Sequence, residues 1–188
     1  AADNGEKISV IEGSAHFLEH KMFENEDGED TFYKFSEFGA DANAYTGTDR
    51  TCYLFATPEN EHESLEVLLA SVFSPFFTDR NVKKEKGIII QELKMYRDDP
   101  YDPVSKAIMR NMYAESRQGR DICGSVGSVN SIRAEDLYRA YDTFYRPDNM
   151  ILSLCGKFDL HRVCEILDRT VTVRKDRSAL CAREYFRE

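Results

Sequence analysis

Two of the four histidines in this 188-residue chain fall inside one five-residue window, His16-Phe17-Leu18-Glu19-His20. An α-helix turns about 100° per residue, so side chains at i and i+4 stand about 40° apart and both imidazoles project from one face. Two neutral imidazoles so placed can hold a single zinc ion, which takes a further protein ligand and keeps one position open to water. Glu19 follows His16 by three residues and stands at the edge of the same face. A carboxylate there can take a proton from a water that the metal has made acidic.

The order H-x-x-E-H inverts the commoner H-E-x-x-H and marks the inverzincin class of metallopeptidases. A pattern with three fixed positions also arises as two histidines on the polar face of an ordinary helix. The flanking residues weigh against that reading. Gly13-Ser14 is a helix-start signal with Ser14 as N-cap. Ala15, Phe17, Leu18, Met22 and Phe23 make an apolar body that suits a helix buried on most sides. Imidazoles and a carboxylate in such a helix need partners, and a metal would supply them. The third ligand must come from elsewhere, and Glu92 in Lys83-Lys84-Glu85-Lys86-Gly87-Ile88-Ile89-Ile90-Gln91-Glu92-Leu93 is the candidate. Val82, Ile89, Leu93 and Tyr96 recur there at helical spacing. Glu85 lies two turns before Glu92 on one face, placed to orient a metal ligand by hydrogen bonding.

Gly13-Ser14-Ala15-His16-Phe17-Leu18-Glu19-His20 strongly resembles the active-site helix of the pitrilysin/insulinase family of zinc metallopeptidases, which includes the mitochondrial processing peptidase. In that family the third ligand is a downstream Glu in a stretch similar to E-R-x-x-I-x-x-E, and Glu92 and Glu85 occupy the positions of its ligand and its supporting acid. The resemblance thus implies one zinc ion held by His16, His20 and Glu92, with Glu19 catalytic and Glu85 in support. Gly39-Ala40-Asp41-Ala42-Asn43-Ala44-Tyr45-Thr46, followed by Thr51-Cys52-Tyr53, looks like the family's edge strand, so Ala42, Asn43 and Ala44 are expected to pair with substrate backbone. His-Phe-Leu-Glu-His-Lys-Met-Phe-Glu and Glu-Lys-Gly-Ile-Ile look closest to bacterial members of the kind called YmfH-like. The likeness runs from about Glu12 to Asp159.

The elements that must position these residues can be read along the chain. Ile8 to Ile11 could end a strand, and Gly13 to Phe23 is the helix carrying the pentad. Thr31 to Phe38 is a short helix closed by Gly39. Asp41–Thr46 and Thr51–Thr57 alternate as a hairpin. Glu61–Phe73 is a helix with Leu65, Leu68, Leu69 and Val72 inward, and Thr78-Asp79 caps the next, to about Asp98. Pro103–Tyr113 is helical, Gly119–Val129 a loop, Ala134–Tyr145 helical, Met150–Cys155 a strand and Asp159–Asp168 the last helix. The expected class is α+β, helices packed on one face of a mainly antiparallel sheet. Residues 1–169 are expected to form one peptidase half-domain and 170–188 a basic tail or linker.

Composition narrows the partners. Hydrophobic residues make up 41% and charged residues 31%, as in ordinary globular domains. A net charge of −9 argues against nucleic acid. No apolar run is long enough to cross a bilayer, so no membrane partner is expected. Five carboxylates crowd Glu24-Asn25-Glu26-Asp27-Gly28-Glu29-Asp30, a solvated loop without the ligand spacing of a calcium site. The cysteines Cys52, Cys123, Cys155, Cys164 and Cys181 form no C-x-x-C pair, as expected of reduced, mostly buried thiols in a cytoplasmic protein. His62 and His161 stand in no motif and read as surface residues.

Two departures from the family matter. Its members begin with paired strands before the zinc helix, and here about a dozen residues precede that helix. Its chamber also closes with a second homologous half whose Arg-Tyr pair steadies the substrate carbonyl, and nothing after Asp168 is long enough to supply it. The chain opens on Ala1 and is expected to be a trimmed or partial sequence. The expected partners are therefore a peptide or small protein substrate and a second homologous half, in the same protein or on another subunit. Alone, the chain is expected to hydrolyse peptides weakly or not at all. The alternative is a non-catalytic interaction or scaffold domain that retains the peptidase fold. A structural zinc site conflicts with a set of only three protein ligands beside a free Glu.

Overall fold

A computed structural model describes residues 10–24, 26, 30–114 and 116–171. Among them the order is α1 (Ser14–Lys21), α2 (Thr31–Glu37), β1 (Asp41–Thr46), β2 (Thr51–Ala56), α3 (Glu61–Phe73), α4 (Asp79–Asp98), α5 (Tyr101–Met112), α6 (Val126–Ser131), α7 (Ala134–Phe144) and α8 (Leu160–Thr170), with short 3-10 turns at Arg117–Gly119 and Pro147–Asn149. The class is α+β, helix-rich with one two-stranded antiparallel sheet.

The core is built around α1. Phe17, Leu18 and Met22 meet Val82 and Ile89 of α4, Val129 and Ile132 at α6, and Leu137, Ala140 and Tyr141 of α7. Phe17 is 0% exposed, and burying a side chain of that size contributes about 1.5–3 kcal/mol. A second cluster, Phe23, Phe35, Ala40 and Leu68, takes Ala42, Ala44, Tyr53 and Phe55 of the hairpin. A third, Leu65, Leu69, Val163 and Ile166, fixes α8 against α3. The zinc-motif helix is thereby clamped from several sides and cannot rotate about its axis without emptying the core.

The entry to α1 differs from the sequence reading. Its N-cap is Gly13, at φ 91°, and Ser14 is already inside the helix. A Cβ on Gly13 would stand 2.7 Å from the carbonyl oxygen of Cys123, so both backbone conformation and space demand glycine. Gly124, at φ 74°, approaches the Glu12 carbonyl equally closely. The two glycines press the 121–124 loop onto the start of the helix.

The hairpin register runs from Asp41 opposite Ala56 to Thr46 opposite Thr51. Ala42, Ala44 and Thr46 are half-buried, while Asp41, Asn43 and Tyr45 are exposed, the period-two pattern of a half-covered strand. Among the described residues β1 pairs only with β2. α4 starts at a capping box between Thr78 and Asn81 and buries Val82, Glu85 and Ile89.

Several expectations need correction. Met150–Cys155 joins no ladder, and Ile151 is 90% exposed; an extended segment is a strand only when another pairs with it. Val10 and Ile11 are likewise in no strand, and Ile8 lies outside the described residues. The Gly119–Val129 loop ends in a helix, because Ser125 and Ser128 form a capping box that starts α6. His62 is buried and donates from Nε2 to the Asp159 carbonyl at 3.3 Å. Cys155 and Cys164 are exposed and Cys52 and Cys123 half-buried, so the thiols are not mainly core. Much of the acidic loop, the tail from residue 172 and Cys181 lie outside the described residues.

Candidate metal centre

α1 and α4 pack against each other and bring three donor atoms together. His16 Nε2 and His20 Nε2 are 3.3 Å apart, with rings edge to face at 73°. Glu92 Oε2 lies 3.6 Å from His16 Nε2 and 3.3 Å from His20 Nε2. Zinc bonds of about 2.0–2.2 Å in tetrahedral geometry require donor separations of about 3.3–3.6 Å. The triangle already has the dimensions of three corners of such a site.

Satisfaction of the polar groups points the same way. Glu92 Oε2 is buried and has no hydrogen-bond partner, whereas Oε1 accepts a bond from the Tyr96 hydroxyl at 2.7 Å. A carboxylate oxygen held dry and unpaired is costly unless a cation completes it. Glu85 Oε1 lies 3.0 Å from His20 Nδ1. With the Nδ1 proton engaged there, the His20 Nε2 lone pair faces the centre. The same imidazole thus has a carboxylate facing each nitrogen, Glu85 at Nδ1 and Glu92 at Nε2, two turns apart on α4.

Electrostatics separates the two histidines. Burial lowers the pKa of His16, and the neighbouring His20 lowers it further. For His20, burial also pulls downward, but the Glu85 hydrogen bond and the charges of Glu85, Glu92 and Glu19 outweigh it, and the pKa is raised. Three carboxylates around two imidazoles make a pocket that seeks positive charge. Cys123 is not among the converging donors; burial first, then Asp121 and Glu92, push its thiol up to about 12. Nitrogen and oxygen donors, a compact triangle and an unpaired carboxylate oxygen fit zinc.

Glu19 stands outside the triangle. Its Oε2 accepts a hydrogen bond from the Thr46 hydroxyl at the end of β1, and Thr46 lies 3.4 Å from Thr51 across the hairpin. The hairpin therefore holds the carboxylate beside the donor set. Farther along β1, Asn43 Oδ1 accepts from the Ala44 N–H at 2.8 Å, so an incoming strand would compete with a bond already made. The structure brings together His16, His20, Glu92, Glu85 and Glu19, with Ala42, Asn43 and Ala44 on the strand that ends at Thr46.

Two residues at the centre carried no motif. Tyr96 was legible only as a packing position, although an i, i+4 relation to Glu92 is the signal for contact on a helix. Thr46 lies 27 positions from Glu19, and no local pattern announces that contact.

Fold and donor set define an α+β domain with a candidate zinc centre, and comparison with known proteins gives its family. The insulinase pattern (peptidase family M16) matches residues 8–125, and the pattern of the M16 inactive domain matches residues 131–185. The chain belongs to the insulinase family of peptidases, M16. It is 47% identical over 154 residues to the uncharacterized zinc protease YmfH of Bacillus subtilis (strain 168), covering 82% of this chain and 36% of YmfH. The crystal structure of an M16-like peptidase from Alicyclobacillus acidocaldarius superimposes with a TM-score of 0.85 at 39% identity, over 92% of this chain and 41% of that one. The first half of the periplasmic protease PqqL from Escherichia coli shares the fold, with a TM-score of 0.74 at 23% identity, over 92% of this chain and 40% of that one. The chain therefore spans well under half the length of each of these relatives.

No described helix is long and apolar enough to cross a membrane.

Proposed function

We propose that this chain is the zinc-bearing part of a zinc-dependent endopeptidase. His16, His20 and Glu92 are the metal ligands, Glu19 is the catalytic base, and a second homologous half completes the enzyme. The observation that carries the reading is the donor triangle, closed by a buried Glu92 oxygen with no other partner.

Zinc, when bound, supplies Lewis acidity that lowers the pKa of a water and polarises a carbonyl. Glu19 takes the proton of the water that attacks the peptide carbonyl and delivers it to the departing amine. The new C–O bond forms first, the C–N bond then breaks as the amine nitrogen takes up that proton, and no redox partner is needed. Thr46 fixes the Glu19 carboxylate for that exchange. Ala42, Asn43 and Ala44 accept an extended peptide as an added strand on β1, which favours backbone shape over side-chain identity. Glu85 holds His20 in the tautomer that leaves Nε2 free. The need for a second half is supported by the share of YmfH and of the Alicyclobacillus enzyme that this chain covers. A cytoplasmic setting is part of the proposal, supported by the four free cysteines among the described residues.

Zinc content after chelator-free purification tests the ligands. About one zinc per chain is expected in wild type, and little in Glu92→Gln. Well-folded wild type that takes up no zinc would leave the scaffold alternative in front. For the base, Glu19→Gln in this chain combined with a second homologous half should keep zinc and lower turnover by about 10²–10⁴-fold; unchanged turnover would remove Glu19 from the role.

A further inference from the structure

We infer that Tyr96 is a positioning residue for the metal centre, selecting which oxygen of Glu92 serves as ligand. The inference rests on the zinc-ligand reading of Glu92 given above. A free carboxylate can bind a metal through either oxygen or both, and it spends most of its time in other rotamers. Here Tyr96, one turn beyond Glu92 on α4, donates its hydroxyl proton to Oε1 at 2.7 Å. That bond occupies one oxygen and leaves Oε2, the buried and unpartnered one, directed at the two imidazole nitrogens. One-oxygen binding keeps the remaining position of a four-coordinate site open.

Tyr96 is itself held from a second direction. Lys106 of α5 places its Nζ 5.8 Å from the centre of the Tyr96 ring, within the range of a cation–π contact. Lys106 is anchored by Asp102 on its own helix and by Asp121 in the loop beneath α1, each at 2.9 Å. The lysine packs over the ring face and restricts the direction in which the phenol can point. α5, which has no buried residue, is thereby tied to the centre through one lysine.

The test uses the 188-residue chain, with Tyr96→Phe beside wild type. Zinc affinity is measured by competition with a chromophoric chelator, and melting of the metal-free protein is recorded in parallel. Loss of an outer partner typically weakens metal binding about 10–100-fold, so at least about tenfold weaker binding is expected, with unchanged melting of the apo form. Cobalt substitution gives a second readout. With Oε1 released, Glu92 can bind through both oxygens, and the visible cobalt bands should weaken as coordination rises above four. Wild-type affinity and an unaltered cobalt spectrum in Tyr96→Phe would overturn the assignment alone. Wild type that binds no zinc would overturn the proposed function and this assignment with it.

Discussion

The α1–α4 junction and the Met150–Cys155 segment both read from sequence as regular elements built on apolar residues, yet only one formed regular secondary structure. At the junction three of the functional side chains are held by a neighbouring group: His20 by Glu85 of α4, Glu92 by Tyr96 one turn along its own helix, and Glu19 by Thr46 of β1. The helix beneath them is locked by Phe17 and Leu18 in the core. In the 150–155 segment Ile151 is 90% exposed and no described strand lies alongside. A helix satisfies its own backbone and needs neighbours only for its side chains, whereas a strand needs a neighbour for both.

The strongest way to break the comparison is to disturb the base of the junction. Gly13→Ala forces a Cβ against the Cys123 carbonyl at a positive φ, and about 1–3 kcal/mol or more should be lost. Thermal melting of the apo chain would record it, and a melting point equal to wild type would mean that the loop simply yields. A smaller effect is expected from Glu85→Gln, which keeps the size of the side chain but removes its charge beside His20. Zinc affinity should fall about tenfold, with little change in the melting of the metal-free chain. The mildest change sharpens the other side. Ile151→Lys should shift the stability of this chain by no more than about 0.5 kcal/mol, as at ordinary surface positions. In a longer protein that pairs this segment, the same substitution should cost several times more.

Legibility followed the range of the physical signal. The hairpin bounds and α3 were readable because alternation and helical periodicity are local, and the Asp41–Thr46 and Glu61–Phe73 limits match. His16, His20 and Glu92 were found by motif and by family resemblance, and the structure brings their donor atoms together. The Ser14 hydroxyl suits an N-cap, but the close approach of the 121–124 loop puts the cap at Gly13. α6 was hidden in a stretch of glycine and serine whose propensity favours loops; the reciprocal Ser125–Ser128 bonds overrode it. The Thr46–Glu19 and Lys106–Tyr96 contacts join residues far apart in sequence, and no periodicity within either segment could disclose them.

The grip of two α4 carboxylates on one imidazole turns that helix into a ruler whose unit is angular. Two full turns take about 7.2 residues, so Glu85 and Glu92 stay in phase to within about 20°. Residues between them such as Lys86, Gly87, Ile88 and Gln91 are not fully buried and can vary in kind at small cost. Their number cannot vary. One inserted residue would swing Glu92 about 100° around the axis, leaving the helix intact and the imidazoles facing an empty side. Loss of the metal by a change of count, with every ligand still present in the sequence, is therefore a failure that a motif search for the three residues would not see.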